Sequence, residues 1–307
     1  MPLSCPPLSR VGGGRAPVTT FIQSIILGIL AGAVYGLFSI GLSLSFGVLR
    51  LVNFAHGDFV MVGMYLAYVA EHSWGLPLAA VLPLSIIPSA LVAYLVYVIF
   101  FHGTGRSADH DQLIISLGIS IILENAALDV FGDTARSLHP LTISSFQFGG
   151  LYIPKAELLA FVLSVVLVGA IDMILVRTNF GRAVRAVVAN RAIAELAGVR
   201  SSRVFTLTFV ISIVLAIVAG IVIVGYLPAT PDVGSNFVLI GFIAVLLGGT
   251  GDLRGTFAAA VIVGLTESLV SIYWAPSVQD VVAYGLFVVI AMTRPRGLFG
   301  RGVGAIA

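Results

Sequence analysis

The segment Leu49–Phe59, LRLVNFAHGDF, decides how the rest of the chain is read. Only three charged residues lie between Phe21 and Gly105, and two of them, Arg50 and Asp58, fall in this segment; the third is Glu71. Asn53 and His56 add to the polar knot. On either side the chain is almost wholly apolar. Hydrophobic residues make up 59% of the 307 and charged residues 10%, with a mean hydropathy of +1.09, whereas a soluble domain is about a quarter charged. Such runs make lipid the solvent. The net charge of +2 and the absence of a basic stripe interleaved with aromatics argue against nucleic acid as a partner. Cys5 is the one cysteine, so neither a disulfide nor a thiolate metal site can form within the chain. The five histidines are scattered, so no metal or other cofactor is expected.

Working outward from the knot, apolar runs at 21–46, 57–71, 76–101, 112–131, 156–176, 204–226, 237–249, 255–273 and 278–293 are candidate spans. A crossing needs about 20 apolar residues, so the second, seventh and ninth are short and read as tilted spans or as half-helices of broken ones. The expected fold is an all-α polytopic membrane protein of eight or nine transmembrane helices. A flexible tail covers 1–20, a transmembrane domain 21–300 and a short C-terminal tail 301–307. The run after the N-terminal tail reads as a retained span rather than a signal peptide. Six of the sixteen Lys and Arg residues lie in one loop, as Arg177, Arg182, Arg185, Arg191, Arg200 and Arg203. By the positive-inside rule that loop is cytoplasmic. Arg50, Arg106, Arg254, Arg294, Arg296 and Arg301 fall on the same side, and the loop 132–154 faces outward. Nine crossings put the N-terminus outside, which Arg10 and Arg15 oppose. Gly28, Gly32 and Gly36 recur every fourth residue and predict a close helix contact.

The knot has two readings. It is a turn in which Asn53 or Asp58 caps the next helix, or it is irregular backbone at membrane depth, which needs protein or a water-filled cavity around it. A catalytic His56–Asp58 pair is disfavoured, because residues two apart point to different sides of a helix and no nucleophile is close in sequence. A second knot, LLGGTGDLRGT at Leu246–Thr256, lacks the lysine of a phosphate-binding loop; Lys155 is the only lysine. It reads as a glycine-rich turn or as a second helix break. The two knots share a faint shape that hints at an internal repeat. Glu124 and Glu267 each stand twelve residues into an apolar helix, about 18 Å from its start. A charge at that depth costs at least ~2.5 kcal/mol, so each is a pathway acid facing the bundle interior or an acid that glues helices. Asn53, His56, Glu124, its neighbour Asn125, and Glu267 are the candidates for a translocation pathway.

Gly181–Gly198 within the basic loop reads as one helix. Val184, Val187, Val188, Ala192 and Leu196 form an apolar stripe, Arg182, Arg185 and Arg191 decorate other faces, and Gly198 supplies the stop. It is either an interfacial helix on anionic lipid or a docking element for a cytoplasmic partner.

LVNFAHGDFVMVGMYLAY, RTNFGRAVRAVVANRAIAELAGV, TFVISIVLAIVAG, GFIAVLLGGTGDLRGT and the closing RPRGLFG resemble the branched-chain amino-acid ABC transporter permease family, in its LivH-type subunit. The resemblance runs in one order from about Phe21 to Gly300. It implies a multi-pass protein of the bacterial inner membrane that pairs with a second, LivM-like permease, two cytoplasmic ATPase subunits and a periplasmic solute-binding protein. It places Gly181–Gly198 at the coupling helix, with Arg182, Arg185, Val184, Val188, Glu195, Leu196 and Gly198 meeting the ATPase. Two departures are visible: FHGTGRSADHD lacks the basic run expected after the third span, and Gly-Asp-Leu-Arg-Gly replaces the usual Gly-Ser followed by a small residue or Pro. The expected function is that of a non-enzymatic permease importing branched-chain amino acids or a related small polar solute. The alternative is a proton-coupled secondary transporter that uses Glu124 or Glu267.

Overall fold

The computed structural model describes residues 17–101, 109–138, 145–148, 151–274, 278–293, 297 and 298. The first sixteen residues, Arg106, and the C-terminal Arg294, Arg296 and Arg301 lie outside the described residues. So do residues 301–307.

Helix α1, Pro17–Leu49, runs 33 residues, or about 50 Å. It is longer than the ~30 Å hydrocarbon layer, and it starts four residues before the boundary expected of the N-terminal tail. Proline suits this first helical position because its missing N–H would be unpaired there anyway. The other membrane helices are α2 (His56–Trp74), α3 (Leu78–Val96) with a π-helical turn at Tyr97–Phe101, α4 (Asp109–Phe131), α5 (Lys155–Arg177), α8 (Ser201–Ile223), α9 (Val233–Gly248), α10 (Leu253–Tyr273) and α11 (Gln279–Thr293). Among the described residues six helices are long and apolar enough to cross a membrane: α1, α3 with its π turn, α4, α5, α8 and α10. Two shorter helices, α6 (Asn179–Ala189) and α7 (Arg191–Leu196), fill the basic loop. A small antiparallel hairpin, β1 (Ser145–Phe148) and β2 (Leu151–Pro154), pairs Ser145 with Pro154. It is an addition to the all-helical plan. The Gln23 side chain ties it to the start of α1 by accepting from the Tyr152 amide at 2.8 Å.

Helices α1 and α8 form the centre, and α3, α4 and α5 flank it with largely uncovered faces. The small-residue face of α1 finds its partner in α10. A Cβ on Gly28 would stand 2.7 Å from the Leu265 Cα, and one on Gly32 2.6 Å from the Val261 Cα. Without glycine there the two backbones could not approach this closely, and close approach is what drives helix packing in lipid.

Two of the spans are broken. After Leu49 the chain leaves the helix through Arg50 at φ 55. It then turns back into the body of the protein, and α2 begins where the His56 Nε2 meets the Phe38 carbonyl at 2.9 Å. Phe38 stands eleven residues before the end of α1, so α2 starts about 16 Å inside that end. In lipid the backbone groups of such a stretch must be satisfied internally. The Asn53 Oδ1 accepts from the Ala55 amide at 3.1 Å, and Ser116 of α4 donates to the Val52 carbonyl at 3.5 Å. Residues 51–55 are irregular backbone packed within the protein, and no side chain caps the start of α2.

Of the two readings of the second knot, the glycine-rich turn is the one the structure has. Leu246–Thr256 is a tight turn between α9 and α10, with Gly249 at φ 100 and Gly251 at φ 83. The break in the second half is 224–232, GYLPATPD preceded by Val224, from which α9 starts against the first turn of α2. A methyl group on Gly57 would collide with the Gly234 carbonyl, and one on Gly234 with the Asp58 carboxylate. Helix α2, of 19 residues, and helix α9, of 16, therefore begin beside each other.

Candidate translocation seam and coupling surface

Asp58 sits where the two helix starts meet. It occupies the first turn of α2 and is 3% exposed. Gly234 in the first turn of α9 lies against it. Each helix start carries a partial positive charge from its unpaired N–H groups, so one carboxylate shared by two such ends is offset where lipid alone would reject it. The Ser120 hydroxyl of α4 is in hydrogen-bonding reach of Asp58, and the Glu124 carboxylate lies within electrostatic reach.

The surroundings divide sharply. Asn53 and His56 are buried, at 1% and 0% exposure, and they hold the break together. Glu124, by contrast, is exposed on α4 rather than turned into the bundle interior. Asp232, Ser235 and Asn236 at the start of α9 are also exposed. These four polar groups, the candidate seam, are not covered by this chain. Toward the far end the seam meets Arg136, Asp133 and the Tyr65 hydroxyl, where Arg136 and Ala229 are joined by a backbone bridge at 2.9 and 2.7 Å. Asn125 points away from this seam and spends its amide on the Ile121 carbonyl at 2.8 Å.

Glu267 stands apart. It is 7% exposed in α10 and lines a cleft of about 250 Å³ with Glu157, Tyr226, Tyr35, Ser268 and Ser271. The two deep acids thus occupy separate places in this chain. Ser120, Asp232, Ser235 and Asn236 were not singled out from sequence, and Asp58 was weighed as a helix cap and as a catalytic partner of His56 but not as a pathway residue. The visible signal was the pair of prolines and the aspartate in YLPATPDVGSN, which interrupts an apolar run as the first knot does.

The basic loop is two helices, not one. Asn190 adopts φ −160 and breaks the expected Gly181–Gly198 helix, while its side chain accepts from the Ile193 amide at 3.1 Å to start α7. The break rotates the apolar stripe out of register. Val184 and Val187 are buried against this chain's own body, at 0% and 5% exposure, so Val184 is not available to fill a partner's groove, and Val188 is half-buried. Arg185 donates to the Leu175 carbonyl at 2.7 Å and so fastens α6 to α5. What α7 presents outward is Ile193 and Leu196, 64% and 89% exposed, beside the exposed Arg182. Glu195 pairs with Arg191 at 2.9 Å and with Ser201. The Gly198 amide bonds to the Glu195 carbonyl at 3.0 Å and the Val199 amide to that of Ala194 at 2.9 Å. With Gly198 at φ 88, this is a Schellman stop.

Residues 24–291 match the model of the family described as branched-chain amino acid transport system / permease component. The chain is 28% identical over 300 residues to the high-affinity branched-chain amino acid transport permease BraD of Pseudomonas aeruginosa, covering 92% of this chain and 96% of that protein. It is 27% identical over 296 residues to LivH of Escherichia coli, with the same coverage. A probable LivH of Methanocaldococcus jannaschii is 27% identical over 285 residues, 86% of this chain and 88% of that one.

Proposed function

This chain belongs to the family of permease components of branched-chain amino acid transport systems, and we propose that it carries its solute along the uncovered seam of Glu124, Asp232, Ser235 and Asn236. As a multi-pass permease of an ABC importer it takes its work from ATP hydrolysed elsewhere, which sets aside the proton-coupled alternative. The seam is the observation that carries the reading. Polar groups left bare at membrane depth are costly against lipid and marginal in cost beside water or a partner. A second, LivM-like permease closing over the seam would make a wet path with acidic groups along it and Arg136 at the far end. Such a path suits a zwitterionic solute, and the branched-chain amino acids named for the relatives are the leading candidates. A periplasmic binding protein would deliver the solute at the end that bears the hairpin, and the protein would sit in the bacterial inner membrane.

Two cytoplasmic ATPase subunits would act through α6 and α7. The apolar pair Ile193 and Leu196 projects from the arginine-bearing end, and exposed aliphatic side chains beside cations suit insertion into a partner's groove. Removing an interface anchor commonly costs more than ~2 kcal/mol. Leu196→Asp should therefore release the ATPase subunits on co-purification, or leave ATP hydrolysis running without uptake, while the membrane body stays folded. Full association and coupled uptake in both Leu196→Asp and Ile193→Asp would contradict the docking role.

A further inference from the structure

A cavity of about 560 Å³ lies between α2, α3 and α4, walled by Met61, Leu66, Ala70, Val81, Leu123 and Ala127 among others. It is almost purely hydrocarbon. Ser85 also lines it, but its hydroxyl is used on the Leu82 carbonyl of its own helix at 2.8 Å. Its walls come from the second half of α2, the first part of α3 and the last half of α4, which all lie toward the end opposite the arginine-rich loop. The cavity therefore belongs to a single leaflet. At about 100° per residue, Leu123, Ala126 and Val130 fall on one flank of α4 and Ser120 and Glu124 on the other, with Ser116 and Ala127 between them facing α2. A subunit that closes over the polar seam thus leaves the cavity open to hydrocarbon on the opposite flank.

Apolar cavities of this kind stay dry and take up apolar ligands, and the size falls within that of small-molecule sites. The medium at its mouth is lipid, and Trp74 and Leu84 stand there 69% and 63% exposed. Above it a cleft of about 390 Å³ is lined by Tyr68, Glu71, His72 and Ser137. The Arg136 guanidinium reaches this rim, 5.9 Å from the centre of the Tyr68 ring. Its Nη2 donates to the carbonyl of Phe131, another wall of the cavity, at 2.8 Å, and its Nε is buried with no partner. A guanidinium at the rim of a greasy slot fits one chemistry.

We propose that this cavity holds one acyl chain of a phospholipid from the leaflet opposite the arginine-rich loop, with the lipid phosphate at Arg136. The slot lies on the other flank of α4 from the transport seam, and only its rim residue Arg136 adjoins the seam's far end. It would act as a wedge that keeps α3 and α4 apart beside the seam.

Ala126 lines the cavity and is otherwise exposed, so Ala126→Phe fills the slot without disturbing the core. Ile122→Phe on the lipid-facing side of the same helix, 63% exposed, is the control. The transporter is purified with its partner subunits, washed in detergent to remove loosely held lipid, and weighed by native mass spectrometry. The wild type and Ile122→Phe should each retain one phospholipid per chain, and Ala126→Phe should retain at least fivefold less. Added diacylglycerol, which lacks the phosphate, should compete at least tenfold less well than phospholipid. Retention of no lipid by the wild type, or equal retention by Ala126→Phe, would overturn the proposal. A disulfide from Ala126→Cys to the second permease would do the same by showing the slot filled with protein. Equal competition by diacylglycerol would remove Arg136 from the site.

Discussion

The two broken spans solve the same problem in opposite ways. At 50–58 the polar side chains other than Arg50 turn inward: Asn53, His56 and Asp58 are at most 3% exposed and hold irregular backbone together. At 224–232 the chain is tied by the Arg136–Ala229 bridge, and the polar groups that follow, Asp232, Ser235 and Asn236, are left bare. The first break is therefore a scaffold and the second a surface for something else to meet. The same half-helix start can serve packing or transport, and the burial of its side chains tells which.

The largest expected effect is at the junction of the two breaks. Gly57→Val would press a side chain into the Gly234 carbonyl and the Val238 amide, where backbone on both sides leaves little room to yield. Overpacking costs about 1–3 kcal/mol even where side chains can move, so the variant should be nearly absent from membranes by immunoblot. Normal abundance would mean that the two helix starts do not touch.

His56→Ala comes next. It removes a fully buried ring and its bond to the Phe38 carbonyl. Loss of a large core side chain commonly costs about 2–5 kcal/mol, so thermal unfolding of the purified protein should shift down by several degrees. Uptake per folded molecule should change little. A variant that is stable but inactive would make His56 part of the path and dissolve the contrast between the breaks.

Asp232→Asn and Glu124→Gln should behave in the opposite way. Both side chains are exposed in this chain, and each swap keeps volume, so abundance and unfolding temperature should match wild type. Solute uptake should fall about tenfold, equivalent to ~1.4 kcal/mol, because a carboxylate facing the solute is lost. Unchanged uptake in both would assign the seam to packing against the second subunit.

Much of the scaffold was legible in the sequence because it follows from run length and small-residue spacing. The spans at 237–249 and 278–293 were read as short, and α9 and α11 are, whereas the run at 57–71 extends to the 19 residues of α2. The Gly28, Gly32 and Gly36 face pointed to a close contact, and α10 fills it. The knot at 246–256 was read as a turn or a break and is a turn; the break at 224–232 was not singled out, because its two prolines sit at the end of an apolar run. Glu124 was expected inside because depth along a helix can be counted, whereas which flank a neighbour covers depends on tertiary packing. Asn190 was read as helix interior, since the alanines around it favour helix and a single capping side chain is a weak signal against them.

Water access separates the two breaks most directly. With Cys5→Ser as background, Ser235→Cys and Asn53→Cys place single thiols at the surface break and the scaffold break of the assembled transporter. A small water-soluble thiol reagent should modify the thiol at position 235 quickly, and solute delivered by the binding protein should slow that reaction. The thiol at position 53 should remain unmodified in folded protein. Rapid modification at position 53 with none at position 235 would contradict the assignment of the path to the second break.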